Sequence, residues 1–216
     1  MIIKNVMTIG LIGLFVGGCV SSKSYVDPKY SDTSYTKIRK VEKQYDVKIE
    51  IEFQRNGKHL AAVDNELRSN VERVFRASGV VVPSATESNI SIKITCNNIA
   101  DIAAARAKGF GTGLTFGTAG TAVTDFYNIT IEFRKGDEVV VKSYDHALYT
   151  TIGNKAPPVQ GVEPTSAGNA FSGVLEDVIL QFLKDMQDKN ILTLHDLFDQ
   201  NRHNKRMNIT AARYTP

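Results

Sequence analysis

Tryptophan is missing, and cysteine is held to two among 216 residues. Two cysteines cannot build a disulfide framework, and no CxxC or Cys/His cluster with zinc spacing occurs. Neither sign of charge dominates. Lys and Arg number 26 against 23 Asp and Glu, for a net +3. That field is too weak to argue for nucleic acid, and no nucleic-acid partner is expected. Glycine shows no period of three, and no repeat of solenoid length recurs. A GxSxG elbow, an HExxH pair and a GxxxxGK[ST] loop are all lacking. No catalytic residue, metal or cofactor is therefore assigned, and the chain is not expected to be an enzyme. Apolar residues make up 42% and charged ones 23%, enough for one folded domain with extra segments.

The first residues carry the strongest signal. Met1 to Lys4 is a short positive start, and Asn5 to Ser22 then has no charge across 18 residues. Its centre, Val6 to Val16, is strongly apolar, which is the layout of a secretory signal. The run ends in Val16-Gly17-Gly18-Cys19. This resembles the lipobox of bacterial lipoproteins: an aliphatic residue and two small ones before an obligatory cysteine. The resemblance implies a signal peptide over 1–18, cleaved before Cys19, with a diacylglyceryl thioether on its sulfur and an acylated amino group. Membrane lipid would then be one partner, joined covalently through Cys19. Val20 stands where an aspartate would signal inner-membrane retention, so the resemblance implies an outer-membrane anchor facing the periplasm. An uncleaved transmembrane anchor is the competing reading, weakened by Gly10, Gly13, Gly17 and Gly18.

With Cys19 lipidated, Cys96 is the one remaining thiol. It lies in the apolar run Ile90 to Cys96 and is expected inside a strand. Residues 19–44 are polar and weakly periodic, and are read as a flexible tether reaching at most about 80 Å. One domain is expected over 45–190. Val47, Ile49, Ile51 and Phe53 alternate with polar residues and predict a strand. Asp64 is the expected N-cap of a helix running to about Ser78, with Leu67, Val71, Val74 and Phe75 on one face. Further strands are expected over 88–95, 125–133 and 138–151. Thr165 or Ser166 should cap a last helix carrying the stripe Phe171 to Met186.

The order strand, helix, strand, insert, strand, strand, helix fits an α+β fold. It predicts a four-stranded, mostly antiparallel or mixed sheet with both helices on one face. By architecture alone it is similar to small α+β envelope lipoproteins that assist transport or assembly.

Three segments are candidates for function. Gly109 to Thr124, within an insert over 99–124, is rich in glycine and threonine and carries no charge. Its Phe110, Leu114 and Phe116 are candidate partner-binding residues. An alternative reading makes it a membrane-inserting hairpin of an oligomeric pore or secretion channel, which would need a ring of subunits. His146 beside Asp145 is the sole hint of a general base, and it would serve an envelope-polymer hydrolase. Strand neighbours point to opposite faces, however, so Asp145 should not orient His146. Residues 191–216 are read as a short helical coda and a basic tail, in which Arg202, Lys205, Arg206 and Arg213 could contact anionic polymer or headgroups. The expected role is a tethered, non-enzymatic binding, assembly or transport-auxiliary module with an envelope protein partner and scope for oligomers.

Overall fold

The structure is a computed structural model that describes residues 22–85, 88–99, 122–152, 156 and 158–192. Its strands are β1 (Ser22–Val26), β2 (Tyr45–Arg55), β3 (Lys58–His59), β4 (Val81–Pro83), β5 (Ile90–Ile99), β6 (Ala122–Lys135) and β7 (Glu138–Ile152). Its helices are α1 (Asp64–Ser78) and α2 (Ala167–Asp188). The strands form one sheet in the order β1-β7-β6-β5-β2-β3, with β4 also beside β2. β2 runs parallel to β4 and β5, and the remaining pairs are antiparallel.

The α+β class and the mixed sheet are as expected. The count of four strands is corrected to seven. β3 and β4 have two and three residues, too few to show a period of two. Their pairing is set by neighbours instead. Asn56 and Gly57 both adopt positive φ, at 51° and 76°. That is the conformation a two-residue type I′ turn demands, so Arg55 folds back onto Lys58.

Alternation explains the core. In the register, Ile49, Ile92 and Phe133 lie side by side, as do Ile51, Ile94 and Ile131, then Phe53, Cys96 and Ile129. All share one face of the sheet. Leu67, Val71, Val74 and Phe75 of α1 and the stripe Phe171 to Met186 of α2 bury against that face. Both helices therefore cover the same side. Ser166 caps α2 by accepting from the Asn169 N–H at 3.2 Å. Asp64 is not the N-cap of α1, which is Val63. The Asp64 carboxylate instead accepts the Phe53 N–H at 2.8 Å and meets the His59 ring at 2.7 Å.

The flexible tether is corrected for residues 22–44. Ser22 to Val26 pair with Leu148 to Ile152 as an edge strand, and Tyr25 and Ile38 are buried. Ser24 also exchanges two 2.8 Å backbone hydrogen bonds with Thr165, which closes the outer side of β1. Gly173 makes room for this strand: a Cβ there would stand 3.1 Å from Val26 Cγ2. After β1 the chain runs along α2. Thr33 bonds Gln181, Tyr35 bonds Glu176, and Arg39 exchanges backbone bonds with the buried Gln187 amide. These contacts are polar and long-range, so no local periodicity announces them.

Candidate functional site

β7 is the element on which the candidate residues converge. It is one continuous strand through Asp145 and His146. Asp145 is exposed on the face away from the helices, where it accepts from Asn128 Nδ2 at 2.8 Å. His146 points the other way and is fully buried. The alternation expected from the sequence holds, and the two side chains do not meet.

His146 has other partners. Its Nδ1 lies 2.9 Å from the Ala147 N–H. The same nitrogen lies 3.1 Å from the Ala147 carbonyl oxygen. Nε2 faces Asp177 Oδ2 of α2 at 3.2 Å. Ser31 donates its hydroxyl to the same carboxylate oxygen. Tyr30 packs on the imidazole with centroids 5.2 Å apart. A histidine that activates a serine needs its nitrogen on the hydroxyl. Here the carboxylate stands between them. The arrangement binds three chain segments: the stretch after β1, β7 and α2.

A second carboxylate repeats the theme. Asp27 accepts the Tyr149 hydroxyl at 2.8 Å and the Lys29 N–H at 3.0 Å. Burial and the neighbouring Asp27 carboxylate push the Tyr149 hydroxyl well above its ordinary value. Lower on β7, Tyr144 donates to Asp185 at 3.0 Å and Lys142 pairs with it at 3.2 Å. Burial alone would raise the Asp185 carboxyl; the bonds from Tyr144 and Lys142 outweigh it and hold the group down.

The outer side of β7 is unlike the other edge of the sheet. The Asp27 N–H donates to the Ala147 C=O at 3.1 Å, so the odd-numbered residues turn their backbone groups outward. Below Ala147 the chain leaves the ladder. Among the described residues, no strand pairs with β7 on that side from Glu138 to Ala147. Val139 and Val141 are 46% and 55% exposed there, and Ser143 and Asp145 are exposed beside them. On the opposite side of the sheet, β2 is covered. The Ile49 and Val47 carbonyls accept from Arg68 and Ser84, and Phe53 engages Leu60 and Asp64. Among the described residues the open edge is thus about eight residues long and follows β7.

Among the described residues, no group of three His, Cys, Asp or Glu side chains could hold a metal ion. Several sequence candidates lie outside the described residues: Cys19 with Val16, Gly17 and Gly18, then Phe110, Leu114 and Phe116, and Arg202, Lys205, Arg206 and Arg213. Cys96 is buried in β5, and burial pushes its thiol far up. Sequence reasoning missed Asp27 and Asp177. The Asp27-Pro28 pair is a turn signal that could have marked the first. Asp177 sits off the apolar stripe of α2, where it reads as a solvated charge.

No protein-family model and no curated protein matches the chain. Among solved structures it is similar to a PelC dodecamer, a point variant from Paraburkholderia phytofirmans, at 10% identity and a TM-score of 0.34. That likeness covers 74% of this chain and 94% of the other. A protein of uncharacterised function is similar at 11% identity and a TM-score of 0.27, covering 70% of this chain and 92% of the other. At such scores both are distant likenesses, and nothing about this chain's partners follows from them.

Proposed function

We propose that this chain is a lipid-anchored envelope module that acts by binding rather than by catalysis. Cys19 carries the lipid, and the domain faces the periplasm from the outer membrane. The open edge of β7 captures an extended segment of an envelope protein, in an assembly or transport-auxiliary role.

The supporting observation is the edge itself. A row of outward backbone groups from Val139 to Asp145 can add a strand through main-chain hydrogen bonds. Exposed Val139 and Val141 give such a strand apolar contact. This mode requires no distinctive side-chain motif, which suits a sequence without one. Residues 22–39 reinforce the strand from one end only, because β1 stops at Val26.

The experiment is in-cell cross-linking followed by purification of the full chain and a Val139→Lys, Val141→Lys double variant. Both side chains already face solvent, so the change in fold stability should stay within about 0.5 kcal/mol. A protein that co-purifies with wild type and is lost from the variant supports the reading. Retention of the same partner by the folded variant contradicts it, and a second copy of this chain in that place would make the edge a self-association surface.

A further inference from the structure

The ordered N-terminal strand has a consequence for how the domain sits. β1 begins at Ser22, three residues after Cys19. Three residue steps span at most about 11 Å. A domain joined to an acylated Cys19 by so short a leash cannot swing away from the bilayer. It must present to the membrane whatever lies around Ser22.

The register says what lies there. Ser22 pairs with Ile152, Lys23 and Ala122 both pair with Thr151, and Val123 pairs with Thr150. Ile152 and Val123 are 40% and 49% exposed, two of the few large apolar side chains that are so among the described residues. Exposed Lys23 is the next residue along β1, on the opposite face of the same strand end. Exposed apolar side chains with a lysine at the same strand end suit a bilayer interface with anionic headgroups. The Gly136-Asp137 turn closes the other end of the β6–β7 hairpin, about 45 Å away at 3.3 Å per residue.

From this we infer that the β1 end of the sheet, at Ser22, Val123 and Ile152, rests on the lipid surface in the acylated protein. The β6–β7 hairpin then projects toward the periplasm, with its open edge held clear of the headgroups. This inference rests on the lipidation of Cys19 proposed above.

The test uses full-length protein acylated in its native host and reconstituted into phosphatidylethanolamine–phosphatidylglycerol vesicles with nitroxide-labelled lipid. Ile152→Cys and Asp137→Cys each receive an NBD fluorophore; Cys96 is buried and Cys19 is blocked by its acyl group. Intact mass is read on the same samples. With the acyl mass present, several-fold stronger quenching at position 152 than at 137 is expected. A ten-residue Gly-Ser insertion between Ser21 and Ser22 should then reduce the quenching at 152. Acylated protein with equal quenching at both positions overturns the orientation and leaves the anchor standing. Absence of the acyl mass overturns both.

Discussion

Asp27 Oδ2 accepts the Tyr149 hydroxyl at 2.8 Å, and the other oxygen of the same carboxylate accepts the Lys29 N–H at 3.0 Å. One side chain thus fixes where β1 ends and starts the 3-10 turn Pro28–Tyr30 that leads the chain off the sheet. The open edge of β7 begins where that turn departs.

Removing the tyrosine hydroxyl should loosen this junction. Tyr149→Phe loses one hydrogen bond to a charged acceptor, at about 1.5–3 kcal/mol. Asp27→Ala loses the same bond and the turn's cap, and should cost more. Urea unfolding of the purified domain checks both, with equal losses in the two variants as the contrary result.

His146 should behave as a structural residue. His146→Ala leaves a cavity and strips Asp177 of a donor, and is expected to cost about 2–4 kcal/mol. Asp177→Asn keeps an acceptor for both Ser31 and His146 and should cost less. Thermal unfolding of the two variants decides the order. A His146→Ala protein as stable as wild type would remove the role assigned to this residue.

Asp64 should lend acid sensitivity. The bond from the Phe53 N–H, then His59 and Arg68, hold its carboxyl below the usual value despite some burial. A carboxyl lowered by folding contributes fully above its unfolded pKa of about 3.9, and that contribution is lost as pH falls through the lower folded value. The difference in stability between wild type and Asp64→Ala should therefore shrink as pH falls below about 4. A difference independent of pH down to 2 would contradict this.

Cys96 reports on global opening. Its thiol is buried and pushed far up, and the thiolate is the reactive form. Iodoacetamide should label it only as fast as the core opens, with urea raising the rate in step with unfolding. Rapid labelling of the native domain would contradict its burial.

The main strands and both helices were legible in the sequence because each has one apolar face. Ile49, Ile92 and Ile131 show the period of two, and Val174, Val178 and Leu175 show that of the helix. β1 was not, because SKSYV buries only Ser24 and Tyr25 and is held by pairing to residues more than 120 positions away. A separation of 31 residues, from β7 to α2, hid Asp177 from His146. Which strand would lie open depended on where β1 stops, and that is set by Asp27 and Tyr149.

The most direct measurement places a photo-crosslinking phenylalanine analogue at Val141, on the open edge, or at Thr95, in the middle of the outer face of the sheet. Both full-length proteins are expressed in the native host and irradiated in cells. Capture by the edge predicts one recurring adduct to an envelope protein from position 141 and none of that mass from position 95. The same adduct from both positions, or from 95 alone, would contradict capture by the edge of β7.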